Sequence, residues 1–248
     1  MNECLMANRM KKKVKRVARV RRVIGLLLFV WFVWSIGSVV LLRWLDPPTT
    51  AFIVADRIHA WLNSEPGYTF NQRWVDWVQI SPSVKLAVVA SEDQRFAGHF
   101  GFDFVEIEHA LSQRSHGTST RGASTITQQT AKNLFLWSGQ SWVRKGFEAY
   151  FTLLIETCWS KTRILEVYLN VAEFGPGVFG VGAASEHFFR VRAARLNRTQ
   201  SALLAAVLPN PTLLRVNAPS RYVRTRQAWI LQQMNGLGGE HHLTELDD

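Results

Sequence analysis

Two adjacent acidic residues, Glu92 and Asp93, close a stretch in which apolar residues recur at helical spacing. Neighbouring side chains on an α-helix point about 100° apart, so the two carboxyl groups cannot play the same role. One can face a cleft, where partly apolar surroundings adapt a carboxyl group to acid–base catalysis, while the other caps a helix or pairs locally. The alternative is a pair of solvated acids at the end of a helix.

A second polar segment contains Ser124, Thr125, Gln128, Gln129 and Lys132. Its small and hydroxylated residues predict the start of a helix, where free backbone N–H groups can bind a phosphate or sugar oxygen. The two glutamines and the lysine fall on neighbouring turns and could reach the same ligand. An ordinary capped helix with a polar face would give the same pattern.

Two further groups of charged and polar residues follow at helical spacing. Arg144 and Glu148 are four residues apart, which is typical of a surface ion pair. With Lys145 they could instead hold a pyrophosphate and a metal ion in a cleft. Glu166 and Asn170 share a helix face opposite an apolar stripe, and they could orient site residues or form a buried structural pair.

The elements that must position these residues are predicted to be helices. Ser81-Pro82-Ser83 is a helix-start signal, and it places Glu92 near the end of the helix that follows. No series of strands at regular spacing is present, so we expect a mainly α-helical domain. The other predicted helices are Ala51–Asn63, Arg144–Trp159, Thr162–Asn170, Val178–Phe189, Thr199–Leu208 with Thr199 as its cap, and Pro219–Met234.

The net charge of +10 lies almost wholly at the N-terminus, where residues 1–22 carry nine basic residues and one acidic residue. This distribution argues against a nucleic-acid-binding surface. Val23–Leu42 is uncharged and long enough to cross a bilayer as a helix. A signal peptide would have a shorter apolar region and a small-residue cleavage site. We therefore predict a cytoplasmic tail at 1–22, a transmembrane helix at 23–42 and a periplasmic domain at 43–248.

The ordered motifs resemble those of glycosyltransferase family 51, and specifically its monofunctional biosynthetic peptidoglycan transglycosylases. The pattern Glu-Asp-x-x-Phe-x-x-His-x-Gly begins at Glu92, and Gly-x-Ser-Thr-Ile-x-x-Gln begins at Gly122. Arg-Lys-x-x-Glu begins at Arg144, and Ile-Leu-x-x-Tyr-Leu-Asn begins at Ile164. A glycine-rich stretch follows at 177–184, so the likeness covers about residues 80–211.

The resemblance implies a lysozyme-like helical domain with a smaller membrane-facing lobe, to which 134–142 would belong unless that stretch is ordinary core. It implies an inverting polymerase that joins lipid-linked GlcNAc–MurNAc-peptide (lipid II) units. Glu92 would be the catalytic base and Glu148 the second catalytic residue. Substrate contacts would come from Asp93, Phe96, His99, Gly101, Ser124, Thr125, Gln128, Gln129, Lys132, Asn133, Arg144, Lys145, Glu166 and Asn170.

The same resemblance implies a loosely bound divalent cation, Mg²⁺ or Mn²⁺, near Glu92 or Glu148. The expected partners are lipid II, the growing glycan chain, membrane lipids, penicillin-binding transpeptidases and division or elongation proteins, with no nucleic acid. Neither Ser-x-x-Lys nor Lys-Thr-Gly is present, so we expect partners to crosslink the peptides. His109 and Gln140 depart from the family pattern, which puts phosphate affinity in question.

Two rival hypotheses remain at this point. A muramidase or lytic transglycosylase would cleave glycan on a similar helical scaffold with an acidic residue. The chain could also be a catalytically idle scaffold of the wall-synthesis machinery. The Gly-Ala-Ser-Thr-Ile stretch argues against the first hypothesis, and intact Glu92 and Glu148 argue against the second.

Overall fold

The N-terminal segment forms a single long helix, α1, from Asn2 to Leu42. The protein is described by a computed structural model that covers residues 2–63, 69–115, 123–139 and 141–246. Within α1, Val17–Leu42 is long and apolar enough to cross a membrane, a test that a core helix or a signal sequence also passes. Most of this span is exposed, as at Leu28, whereas a core helix would be buried.

The chain divides into two compact units after Leu45, and the second unit carries all the predicted site residues. This unit is built mainly from α-helices, as predicted. Its helices are α2 (Ala51–Leu62), α3 (Pro82–Glu92), α4 (Phe104–Ser115), α5 (Ile126–Phe135), α6 (Trp142–Cys158), α7 (Lys161–Val171), α8 (Gly180–Phe189), α9 (Arg198–Val207) and α10 (Arg221–Gly236). Short 3₁₀ helices lie at Trp77–Gln79, Phe96–Gly98, Ala193–Arg195 and Gly239–Leu246.

The described residues contain one small sheet of three strands, β1 (Asn71–Gln72), β2 (Glu173–Gly175) and β3 (Val178–Phe179). Strand β3 lies in the middle, parallel to β1 and antiparallel to β2. The helix predicted from Val178 therefore begins two residues later, because Val178 and Phe179 pair as a strand instead. This pairing brings residues 71–72 next to residues 178–179, and all three strands contact α8.

Helix α3 lies at the centre of the second unit and packs against α9 and α10. Its residues from Ser83 to Ser91 are all buried, so this helix is enclosed on every side. Helix α5 packs against α6 and α7 on one side and against α2 on another. The segment that ends in Glu92 and the segment that begins at Thr125 are thus fixed in the core of the unit.

The helix ends are capped by side chains at the positions that short polar residues predict. Ser81 caps α3 with Pro82 at its first position, and Ser160 caps α7. Thr199 is not the cap of α9, because that helix begins at Arg198 after an Asn197 cap that forms a capping box with Gln200. The amide of Asn197 accepts from the Gln200 backbone at 2.9 Å, so the true signal was Asn-x-x-Gln.

Candidate functional site

A cleft of about 510 Å³ opens where α3, α5, α6 and α10 converge. Half of the predicted site residues line it. The cleft thus brings together three motifs: the one that begins at Glu92, the Gly-x-Ser-Thr-Ile-x-x-Gln motif and the Arg-Lys-x-x-Glu motif. The cleft is lined by Ser91, Glu92, Ser124, Gln128, Gln129, Lys132, Arg144, Lys145, Glu148, Leu208, Pro209, Tyr222 and Arg226. Four of these residues are basic and two are acidic, so the cleft suits an anionic ligand.

Glu92 is the last residue of α3, and its carboxylate is held from several sides. The hydroxyl of Ser91 donates to Oε1 at 2.8 Å, and the side-chain amide of Gln129 donates to Oε2 at 3.0 Å. The Arg226 guanidinium approaches Oε1 at 3.4 Å. These donors fix the direction of the carboxylate in the cleft, and a general base must be positioned in this way.

A short chain of hydrogen bonds connects Glu92 to the core of the unit. The hydroxyl of Tyr168, on α7, donates to Gln129 Oε1 at 3.0 Å, and the amide of Gln129 in turn donates to Glu92. The side chain of Tyr168 is almost fully buried. Burial raises the pKa of the Tyr168 phenol, and the Glu92 charge raises it further, so the phenol stays a donor. Gln129 is thereby held in the orientation that presents its NH₂ group to Glu92.

Glu148 forms the second acidic centre of the cleft, and it is not part of a surface ion pair. Its side chain is 5% exposed, and its Oε2 accepts from Arg144 at 2.7 Å while Oε1 accepts from Lys145. Because both cations share one buried carboxylate, they are held in place for a ligand phosphate. Of the two interpretations of this motif, the structure favours the cluster in the cleft over the exposed ion pair.

Lys132 stands between the two acidic centres, on the last turn of α5. Burial lowers the pKa of its ammonium group, as do Arg144 and Lys145, whereas the charges of Glu148 and Glu92 raise it. Its Nζ also lies 5.7 Å from the centre of the Phe52 ring on α2. A buried cation gains more from an anionic ligand than a solvated cation does, so Lys132 is suited to bind a phosphate group.

Asp93 does not share the role of its neighbour Glu92. Its Oδ1 lies 2.8 Å from His99 Nε2, and its Oδ2 accepts from the backbone N–H of Ile126 at 3.0 Å. It therefore caps α5 from outside that helix, while the Thr125 hydroxyl accepts from Gln128 N. This corrects the prediction of free N–H groups at the start of α5, since two of them already have protein partners.

The other motif residues near Asp93 form a buried cluster behind the cleft. Thr125 donates to the Gly101 carbonyl at 2.7 Å, and Lys161 donates to the His99 carbonyl at 2.6 Å. Gly101 has φ +77°, and a Cβ there would lie 2.6 Å from a methyl group of Thr152. We call this the Asp93 cluster, and it consists of Asp93, Phe96, His99, Gly101, Thr125, Thr127, Glu156 and Lys161.

Glu166 and Asn170 lie away from the cleft and anchor residues 75–77. The carboxylate of Glu166 accepts from Trp77 N at 2.6 Å. Asn170 accepts from Val75 N at 2.8 Å and donates to the Val75 carbonyl at 2.9 Å. The structure thus favours a structural role over direct substrate contacts, with Asn170 fully buried and Glu166 partly buried. Asn133 lines a smaller side cleft that shares Gln129 and Lys132 with the main one.

The sequence analysis did not assign Arg226, Tyr222 or Tyr168 to the site, although Tyr168 is the tyrosine of the Ile-Leu-x-x-Tyr-Leu-Asn motif. Arg226 lies between Val223 and Ile230 on the buried face of α10. A basic residue on such an apolar helix face could have indicated a site residue. Gly122 and Gln140 lie outside the described residues. His109 lies exposed on α4 and does not line the cleft. Among the described residues, the one group of three potential metal ligands is Asp93, His99 and Asp103, which lies outside the main cleft.

Comparisons with known proteins identify a matching family and several relatives. Residues 59–235 match the family described as transglycosylase, a span that covers most of the chain. A biosynthetic peptidoglycan transglycosylase of Pseudomonas entomophila is 54% identical over 209 residues, which are 84% of this chain and 88% of that protein. A protein of the same name from Salmonella agona is 55% identical over 209 residues, covering 84% of this chain and 86% of the relative.

Proposed function

This chain belongs to the transglycosylase family of peptidoglycan glycosyltransferases, which polymerise glycan strands, and from that premise we propose how its cleft performs the reaction. The substrates are the growing lipid-linked glycan as donor and lipid II as acceptor. The single observation that carries the proposal is the cleft itself, in which an oriented carboxylate at Glu92 faces a cluster of basic side chains. The domain is lysozyme-like and mainly helical.

Glu92 acts as the general base on the GlcNAc 4-hydroxyl of the acceptor. As that proton passes to the carboxylate, the O4 oxygen forms a bond with C1 of the donor MurNAc. The bond from C1 to the pyrophosphate oxygen breaks on the opposite face, so the α-linkage becomes a β-linkage. A sugar hydroxyl is a poor nucleophile, and a positioned base is worth about 10²–10⁴-fold in rate.

The leaving polyprenyl diphosphate is stabilised by Lys132, Arg144 and Lys145. Glu148 holds Arg144 and Lys145 in place, which supports a role for it in orienting the cations rather than in taking a proton. Preorganised charges that meet a developing negative charge are typically worth about 10²–10³-fold each. Ser124, Gln128 and Gln129, which line the same cleft, would position sugar and phosphate oxygens.

We further propose that a divalent cation can bind in the cleft. It would have to share the Glu148 carboxylate with Arg144 and Lys145, or the Glu92 carboxylate with Arg226. Its carboxylate ligands would come from Glu92 or Glu148, and the remaining ligands from substrate phosphate and water. When bound, Mg²⁺ or Mn²⁺ would neutralise part of the pyrophosphate charge.

The same proposal places the catalytic unit on the outer side of a bacterial inner membrane. The basic segment 1–22 supports a cytoplasmic N-terminus, and α1 supports a single crossing. Exposed Trp137, Trp142 and Val143 support a surface that contacts lipid, since Trp142 is 92% exposed. Penicillin-binding transpeptidases and division or elongation proteins are the partners that would crosslink and direct the glycan.

The direct test uses detergent-solubilised full-length protein, labelled lipid II and a Glu92→Gln variant. We expect the wild type to give a ladder of glycan strands on a gel, and the variant to make it about 10²–10⁴-fold more slowly. The ladder must be sensitive to lysozyme. Cleavage of preformed glycan without polymer would contradict the proposal and support a lytic enzyme, and full activity of the variant would remove Glu92 from the mechanism.

A further inference from the structure

The positive charge of the second unit is concentrated in one stretch of its sequence. Residues 187–239 carry eight arginines and no acidic residue. The rest of the chain after the basic N-terminal segment, 23–186 and 240–248, has twelve basic and eighteen acidic residues. Of the eight arginines, Arg226 lines the main cleft and the other seven do not. The charge of this stretch therefore exceeds what the proposed reaction uses.

Four of the remaining arginines lie within nine residues, and we call them the arginine segment: Arg190, Arg192, Arg195 and Arg198. The first three are exposed, and the fourth is half-buried. Arg198 donates to Asn235 Oδ1 at 2.6 Å. In the part of the chain that the structure describes, none of the four forms an ion pair with an acidic residue. Their charge is thus left for a partner.

The backbone of the arginine segment is fixed to the core of the unit. The N–H of Ser81 donates to the Ala193 carbonyl at 3.2 Å, and the Ser81 hydroxyl donates to the Leu196 carbonyl at 2.8 Å. Ala193 and Leu196 are both buried. Residues three apart on a 3₁₀ helix point the same way, so Arg192 and Arg195 share an outward face. The protein thus presents these guanidinium groups from a fixed surface.

Arg190 occupies a position at which helices favour glycine. It ends α8 in the left-handed conformation, with φ +58°. A side chain in this conformation costs backbone free energy relative to glycine. Its backbone N–H caps the helix by donating to the Glu186 carbonyl at 3.1 Å, a bond that glycine would make equally well. An exposed side chain that the fold does not need favours a role in binding.

We propose that the arginine segment is a docking site for an acidic stretch of a partner protein. Aspartate and glutamate side chains of the partner would pair with its guanidinium groups. Arginine binds a carboxylate through two parallel N–H···O bonds, a geometry that lysine does not offer. Residues 187–239 contain no lysine, although lysine accompanies arginine in the cleft. This choice of cation fits a partner recognised through its carboxylates.

Two other anionic ligands fit this surface less well. A segment that binds a membrane surface combines cations with large apolar side chains, and none of these is exposed between Leu153 and Leu213. The substrate cleft is also distant. Arg198 begins α9, and Leu208, just past its other end, lines the cleft, so about 15 Å of helix separates them. A protein bound to the arginine segment would therefore leave the cleft open.

The first test asks whether the arginine segment binds carboxylates. Full-length protein in detergent is mixed with a short peptide that alternates glutamate with glycine and carries one photo-reactive residue. The control peptide has glutamine in place of glutamate. Mass spectrometry then locates the cross-links. The basic segment 1–22 should also capture the acidic peptide, and its cross-links serve as an internal reference.

We expect the glutamate peptide to cross-link around residues 190–198 several-fold more than the glutamine peptide does. The triple variant R190Q/R192Q/R195Q should lose most of these cross-links. The matched control R215Q/R221Q/R224Q removes the same charge from three other exposed arginines, and it should keep them. Equal losses in both variants would overturn the proposal, because general charge would explain them. Cross-links confined to residues 1–22 would also overturn it.

The second test captures the partner in cells. Benzoylphenylalanine replaces Ala194, which is exposed between Arg192 and Arg195. We expect a cross-link to a stretch rich in aspartate and glutamate, lost in R192E/R195E and restored when acidic residues of that stretch are changed to arginine. A cross-link to phospholipid, to a stretch without acidic residues, or to nothing would overturn the proposal. Neither test measures polymerisation, so failure here is distinct from failure of the proposed function.

Discussion

The cleft and the Asp93 cluster are built from the same sequence motifs but satisfy their charges in opposite ways. In the cleft, four basic residues surround two carboxylates, so positive charge remains for a ligand. In the Asp93 cluster, both oxygens of Asp93 have protein partners, and Glu156 accepts from both Lys161 and Thr127. Charge that protein groups satisfy stabilises the fold, whereas charge left for a ligand serves function and costs stability.

Glu92 and Asp93 show this division within a single dipeptide. Glu92 ends α3 and faces the cleft, while Asp93 turns to cap α5 and to hold His99. A variant on the cleft side should therefore lose activity and keep its stability. A variant on the cluster side should lose stability first. Two predictions test this contrast directly, and a third tests a carboxyl group that lies outside both regions.

Among the variants that test this contrast, the largest effect is expected for Lys132→Met. Removing this cation should slow polymerisation about 10²–10³-fold, because the leaving diphosphate loses a preorganised partner. The melting temperature should stay the same or rise, since burial disfavours the charged lysine and lowers its pKa. Initial rates with labelled lipid II and thermal unfolding of the same preparation check both parts.

Lys85→Met is the matched control for that experiment. Lys85 is also buried, and its Nζ lies 3.6 Å from the centre of the Trp77 ring, outside the cleft. Its loss should leave the polymerisation rate within a few-fold of wild type. Equal rate losses in the two variants would mean that the cleft cations have no special role.

A smaller effect, on stability, is expected for Asp93→Asn. Asparagine keeps the shape but loses the charge, and its NH₂ group must face either His99 or the Ile126 N–H. The free energy of unfolding should fall by about 2–3 kcal/mol, the usual range for a buried hydrogen bond to a charged group. Denaturant titration measures it, and the rate per folded molecule should change less than tenfold. A large rate loss at unchanged stability would place Asp93 with the cleft residues.

Helix geometry and helix-start signals predicted the features of the two regions that depend on residues close in sequence. The 100° offset between Glu92 and Asp93 required separate roles, and the serine and threonine before α5 predicted its start. Helix α2 and the mainly helical fold were likewise evident from periodicity. The start of α8 was misplaced because Val178 pairs with Asn71, more than a hundred residues away.

Long-range packing determined what the sequence could not predict. Tyr168 reads as part of an apolar stripe on α7, and only the packing of α7 on α5 brings its hydroxyl to Gln129. Arg226 reaches Glu92 because α10 packs on α3. The motif around Asn170 was recognised, but its connection to Val75 depends on a contact across 95 positions. The sequence motifs thus predicted many of the residues that line the cleft, and long-range packing determined the contacts among them.

The smallest effect is expected at Glu173, which lies in the side cleft beside Lys132 and belongs to neither region. Burial, aided by the charge of Asp56, raises the pKa of this carboxyl group to about 7, against the opposing effects of the Gly177 N–H and Lys132. Because the folded-state pKa is above the ordinary value, ionisation costs stability, and the cost grows as the pH rises from about 4.5 to 7.

Glu173→Gln removes that cost, since glutamine is neutral at every pH. Relative to wild type, the variant should gain about 1–2 kcal/mol at pH 8, a value reduced for the partial exposure of the group, and almost nothing near pH 4.5. Melting temperatures of both proteins at the two pH values measure the difference. Asp56→Asn should give part of the same gain, because it removes a repulsive neighbour. A gain that is equal at both pH values would show that Glu173 affects stability through packing and not through its charge.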